Sequence, residues 1–274
     1  MSAVDHASDA AYVAKLERLD AQLAELGSLA VAFSGGVDSS ALLHAARRVL
    51  GERAIGVLAD SASLPRRELR EAREVAAAMG ARLIEQATDE QQDADYQANT
   101  GQRCYFCKAA LFRAMERVCA EHDIPWMAFG EVTDDWSDDR PGARAAADFG
   151  VVAPLSAAGF AKEDVRRYAR EAGLRVADKP ASACLASRIP VGTVVTPERL
   201  AAVESAEDAL LEMGLRQIRV RHHGRRARVE VGAPELAFAR TLQSDIGAAL
   251  VRCGFQDFEL HAYRTPGSSP SDPS

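Results

Sequence analysis

Residues 28–60 run SLAVAF, SGGVDSS, ALLHAARRVL, GER and AIGVLAD without a break. An apolar stretch of strand length meets a loop with two adjacent glycines. A helix-patterned stretch follows, and a second apolar strand closes the unit. The pattern repeats downstream: PRRELREAREVAAAMG reads as a helix with Pro near its start and Gly at its end, and ARLIEQA as a strand. CKAALFRAMERVCAEHD reads as a helix and PWMAFGE as a strand. Strands that alternate with helices make parallel βαβ units, so the expected class is α/β with an open parallel sheet. A further helix over residues 11–26, with Leu16, Leu19, Leu23 and Leu26 on one side, precedes it.

The pattern changes near residue 190. TPERLAAVESAEDALLEMG starts a helix with a Thr cap and Pro at the first position. QIRVRHH and RRARVEV alternate on either side of Gly224, as in a hairpin, and a helix over 234–254 and a strand over 255–263 follow. The expected organisation is a nucleotide domain over residues 1–190, a small α+β domain for substrate and oligomer contacts over 191–266, and a low-complexity, disordered tail over 267–274.

The 274 residues are 47% hydrophobic and 27% charged, enough for a substantial core without disulfides. The net charge of −7 argues against nucleic acid as the partner. No secretory pattern opens the sequence and no run approaches a membrane span, so the expected location is the cytoplasm, away from membranes. Five cysteines do not suggest a disulfide framework.

The loop Ser34, Gly35, Gly36, Val37, Asp38, Ser39 is an anion site by construction. Glycines let the backbone approach a phosphate, and the free N–H groups at a helix start point toward it. Ser34 and Ser39 add hydroxyl donors, and Asp38 suits Mg²⁺ bridged to phosphates. The loop lacks the lysine of a GxxxxGK[ST] loop. It resembles the PP-loop of the ATP pyrophosphatases, which implies ATP cleavage between the α- and β-phosphates. Ala59–Ser61 and Gly130, at the carboxyl ends of strands, are expected to meet the nucleotide.

RCYFCK places Cys104 and Cys107 two residues apart, a spacing open to a redox pair, half a zinc site or an iron–sulfur site. Zinc would want a fourth ligand, and no His is close to Cys104 or Cys184 in sequence. Cys119 and Cys253 read as small core residues. Together with DKPASACLASRIP around Cys184 and GEVTDDWSDDRPGARAAADFGVVAPL, the motif resembles the LarE family, PP-loop sulfur transferases that build the pincer nucleotide of a nickel cofactor. The resemblance runs from residue 31 to about residue 268.

That resemblance implies a substrate, pyridinium-3,5-biscarboxylic acid mononucleotide, whose carboxylates are adenylated by ATP and then displaced by sulfur. It implies that Cys184 is catalytic, either sacrificing its own sulfur or joining Cys104 and Cys107 as the three ligands of a 4Fe-4S cluster that carries sulfide. It places Arg219, Arg221 and Arg264 at the substrate phosphate, and it implies a homo-oligomer. Arg188 is expected near the substrate, and Glu207, on the helix that follows residue 196, either near the substrate or a metal or at the surface. In QIRVRHH the arginines share one strand face and the apolar residues the other. Asp134, Asp135, Asp138 and Asp139 around Trp136 form either a Mg²⁺ site or a solvated loop. A tRNA thiolase and a nucleotide-binding iron–sulfur sensor are the rival readings. The first would need a basic RNA-binding surface, and pyrophosphate release would exclude the second.

Overall fold

The computed structural model describes residues 3–137, 141–180 and 182–263. The chain divides into two compact units, Met1–Ser182 and Ala183–Ser274.

The first unit is built on a four-stranded parallel sheet of β1 (Leu29–Ala32), β2 (Ala54–Asp60), β3 (Arg82–Ala87) and β4 (Met127–Ala128), in the order β3-β2-β1-β4. Its helices are α1 (Ala3–Leu26), α2 (Val37–Leu50), α3 (Arg66–Ala78), α4 (Ala94–Ala98), α5 (Arg103–Glu121), α6 (Pro141–Asp148), α7 (Pro154–Ala157) and α8 (Lys162–Glu171). The inner strand β1 and most of β2 are apolar because both faces are covered, while the edge strand β3 carries Arg82, Glu85 and Gln86 and is partly exposed. Leu29 and Val31 of β1 pack into one core with Leu42 of α2, Leu69 of α3 and Val165 of α8. Ala30 and Ile55 point the other way, into a second core with Phe112 and Met115 of α5 and Ala145 of α6. The expected open parallel α/β sheet is what forms.

The stem of chain that leads toward Cys184 is anchored within this unit. Lys179 Nζ reaches Glu68 and Glu71 of α3 at 2.7 and 2.9 Å, and Ser182 Oγ donates to Glu68 at 3.0 Å. Arg166 donates to the carbonyls of Ala177 and Lys179. Burial works against charge on both partners. Their hydrogen bonds and mutual attraction outweigh it, leaving the Glu68 carboxyl below its usual range and the Lys179 amine above its own. Glu68's contribution to stability is therefore complete above the ordinary carboxylate pKa and lost as pH falls through its lowered value. Lys179→Met is expected to cost about 1–2 kcal/mol at neutral pH. In thermal melts the gap from the parent protein should shrink at acid pH; a gap that does not change with pH would contradict the pairing.

The second unit contains α9 (Pro197–Glu212), β5 (Ile218–His223), β6 (Arg226–Val231), α10 (Leu236–Thr241), α11 (Gln243–Arg252) and β7 (Asp257–Ala262). Thr196 caps α9 by accepting from the Arg199 amide at 3.3 Å, with Pro197 at the first position. β5 and β6 form the antiparallel hairpin around Gly224, whose φ of +66° suits glycine in so tight a turn. β7 returns parallel to β6. Ile218, Val220, Ala227 and Val229 pack with Leu210 of α9 and Ile246 and Leu250 of α11. The helix expected over 234–254 is broken into α10 and α11 at Leu242. Arg264, Asp138, Asp139 and the tail 267–274 lie outside the described residues.

Candidate active site

At the carboxyl ends of β1 and β4 a cleft of about 160 Å³ is lined by Ala32, Phe33, Ser34, Gly36, Asp38, Ser39, Lys108, Leu111, Phe129 and Gly130. The loop is braced from within: the Ser34 amide donates to Ser39 Oγ at 3.2 Å, the two hydroxyls lie 3.1 Å apart, and the Gly36 amide meets Ser34 Oγ at 3.3 Å. Gly36 caps α2 with no side chain of its own, leaving first-turn amides to face an anion.

Two glycines are demanded by space. Gly35 has φ +70°, and a Cβ there would lie 2.8 Å from the Ala72 backbone of α3. A Cβ on Gly130 would lie 2.9 Å from Asp38 C and from Ser39 N, so the end of β4 touches the loop backbone directly. Gly130→Ala must push the loop aside. We expect a stability loss of about 1–3 kcal/mol and a large rise in the KM for ATP. Unchanged ATP kinetics would show that this contact does not set the loop's position.

Asp38 stands in the first turn of α2. Burial, then the charge of Asp135, raises its carboxyl pKa, with Asp134 adding to the rise and Lys162 and Arg166 opposing it. An anion held at such a cost is relieved by a cation, so its chemistry fits Mg²⁺. Asp134 and Asp135 are partly engaged elsewhere. Asp134 accepts from the Lys162 amide at 2.7 Å, and Asp135 pairs with Lys162 Nζ at 3.3 Å.

Lys108 is a functional candidate absent from the sequence reading. Its ammonium lies 5.8 and 5.9 Å from the Phe112 and Phe129 ring centres. Burial lowers its pKa, while the neighbouring Cys107 and Cys104 pull it up. It supplies from α5 the cation that the glycine loop lacks. The helix starts at Arg103, four residues before the expected Cys107, so Cys104 sits in its first turn and Cys107 opens the second, with Lys108 immediately after. Cys104 is exposed and Cys107 half-buried. They suit thiolate coordination of iron as a pair. Among the described residues no three His, Cys, Asp or Glu side chains converge as a metal group.

Ser61 follows the last residue of β2 and is buried: its hydroxyl donates to Glu90 Oε1 and accepts from the Ser63 amide at 3.0 Å. It does not line the cleft.

In the second unit Cys184 is half-buried and opens a short 3-10 turn, Leu185–Arg188. Arg188 and Glu207, expected at the substrate, are each 1% exposed and paired with one another. Arg219 and Arg221 lie on the sheet face opposite the core, as the alternation predicts. Arg221 Nε reaches Glu230 at 2.9 Å and Arg228 Nε reaches the same carboxylate at 3.3 Å. Arg219 lies 5.6 Å from the Tyr263 ring. Glu230, directly opposite Arg219 in the ladder, was not anticipated, although counting back from Gly224 would have found it.

The asparagine synthase family model matches residues 17–106, which span the glycine loop and the start of α5. The chain is 32% identical over 243 residues to the pyridinium-3,5-bisthiocarboxylic acid mononucleotide synthase of Lactiplantibacillus plantarum, covering 88% of each protein. It is 37% identical over 217 residues to an uncharacterized protein of Synechocystis sp., covering 79% of this chain and 81% of that one.

Proposed function

This chain belongs to the LarE family, the pyridinium-3,5-bisthiocarboxylic acid mononucleotide synthases, and on that premise we propose that it is an ATP-dependent sulfur transferase that converts the two carboxylates of a pyridinium mononucleotide into thiocarboxylates. The observation that carries the proposal is the cleft in which Ser34, Gly36, Asp38, Ser39 and Lys108 converge. It offers hydroxyls, helix-start amides, a carboxylate and a cation, which together suit a triphosphate.

A carboxylate has no good leaving group, and adenylation provides one. A substrate carboxylate oxygen attacks the α-phosphorus, and pyrophosphate leaves. A sulfur nucleophile then attacks the acyl carbon, and AMP leaves. Ser34, Ser39 and the α2 amides hold the phosphates, and Lys108 offsets the charge that builds on departing pyrophosphate. Asp38 would hold Mg²⁺, which supplies Lewis-acid neutralisation of the phosphates. The end of β2 at Ser61 and the bare backbone of Gly130 would border the adenosine, Ser61 through its backbone because its hydroxyl is engaged with Glu90.

Arg219, Arg221 and Arg264 would bind the substrate phosphate, since a guanidinium fork pairs two oxygens at once. Glu230 holds Arg221 in place until a phosphate arrives. Cys184 provides the sulfur or its attachment. With Cys104 and Cys107 it would hold a 4Fe-4S cluster, which supplies sulfide without consuming the protein. The second unit would also carry the contacts of a homo-oligomer. Among the described residues no helix is long and apolar enough to cross a membrane.

The test supplies the mononucleotide, ATP, Mg²⁺ and sulfide under anaerobic conditions, with tRNA as a parallel substrate. Thiocarboxylate formed together with pyrophosphate supports the reading. Sulfur delivered to tRNA alone would replace it with the RNA thiolase.

A further inference from the structure

We infer that Arg188 and Glu207 form a buried clamp that fixes the Cys184 loop and ties it to β5, so that they position Cys184 instead of binding substrate. The inference rests on the proposed role of Cys184, but the clamp itself is a matter of contacts within the second unit. Arg188 Nε and Nη2 donate to the two oxygens of Glu207 at 2.9 and 3.1 Å. Arg188 Nη1 donates to the carbonyl of Ala183 at 2.6 Å, to that of Cys184 at 3.0 Å and to Ser187 Oγ at 3.0 Å. The carbonyls on both sides of the Cys184 α-carbon therefore converge on one guanidinium. Ser187 reinforces the turn, its amide and hydroxyl both donating to the Cys184 carbonyl at 3.0 and 2.7 Å.

The far side of the clamp is equally fixed. Glu207 Oε1 also accepts from the Val220 amide at 3.0 Å. Val220 lies in β5, the edge strand of its sheet, between Arg219 and Arg221. Arg221 Nη1 additionally approaches the Ser187 carbonyl at 3.5 Å. The cysteine loop and the arginine strand thus form one continuous hydrogen-bonded body. The separation between Cys184 and the arginine pair is set by the second unit alone.

Burial argues for this role over substrate contact. With the fork filled and both residues 1% exposed, a ligand reaches neither without breaking the clamp. A buried ion pair is a poor means of adding stability, because desolvation cancels much of the attraction and an apolar pair packs as well. What the ion pair adds is direction: five N–H donors in a rigid plane hold a non-repetitive loop in one conformation.

Arg188→Met alone would strand a buried charge on Glu207 and unfold the unit. The double variant Arg188→Met/Glu207→Leu removes both charges at similar volume. Arg188→Lys keeps the charge and loses the fork. On iron-free protein, we expect both to fold, with Cys184 alkylated by iodoacetamide at least fivefold faster or slower and amide exchange accelerated at residues 184–188. In the full reaction, thiocarboxylate formed per pyrophosphate released should fall at least tenfold, as misplaced sulfur lets water take the adenylate. Unchanged alkylation and exchange in a folded variant overturn the clamp. So does a selective loss of mononucleotide affinity with Cys184 reactivity unchanged, which would return the pair to the substrate. Alkylation and exchange need no substrate. A parent protein that makes no thiocarboxylate would therefore defeat the proposed function while leaving the clamp testable.

Discussion

Asp38→Ala is expected to lower pyrophosphate release by roughly 1,000-fold, and Lys108→Met by roughly 100-fold or more, with the fold intact in both. Both side chains line the cleft beside the glycine loop; in the proposed reaction Lys108 would offset the charge on departing pyrophosphate directly, and Asp38 by holding Mg²⁺. Asp38 already bears a raised pKa from burial and from Asp135, so its replacement should not destabilise the first unit. Steady-state pyrophosphate release, with a melt to confirm folding, separates the two effects. Lys108→Met with full activity would remove Lys108 from the phosphate site.

The second large effect concerns the cysteines. Cys184→Ala should abolish thiocarboxylate formation while the adenylation step continues, because the ATP cleft lies wholly in the first unit. If the three cysteines share a cluster, Cys104→Ala and Cys107→Ala should each lose most of the iron, and the parent should turn over many times with sulfide supplied. Cys119→Ala and Cys253→Ala should keep both iron and activity. Burial pushes the Cys119 thiol up to about 11 and raises that of Cys253, so neither presents a thiolate at neutral pH. Iron and sulfide counts on anaerobically purified variants read this directly. A single turnover per chain, with Cys184 converted to dehydroalanine, would contradict the cluster and leave the ATP and substrate assignments standing.

Much of the fold was written locally. Continuous apolar runs at β1 and β2, the glycine loop between β1 and α2, and alternation on either side of Gly224 each follow from short-range patterning. The contacts that the sequence concealed are those made between distant segments. Nothing near Ser61 announces Glu90, and nothing near Arg188 announces Glu207; both pairings depend on how helices and turns pack. The sequence pattern starts the helix at Cys107, which separates Cys104 from Lys108. Starting α5 at Arg103 brings Lys108 one turn beyond Cys104. The break at Leu242 carries no glycine or proline signal.

The most direct test of the account is the fate of ATP and oxygen in one reaction. With the mononucleotide, Mg²⁺ and sulfide present, ATP should yield AMP and pyrophosphate, and with ¹⁸O in the substrate carboxylates one label should pass to each AMP as sulfur takes its place. ADP and orthophosphate as products, or AMP without label, would contradict carboxylate adenylation and with it the proposed sulfur transfer.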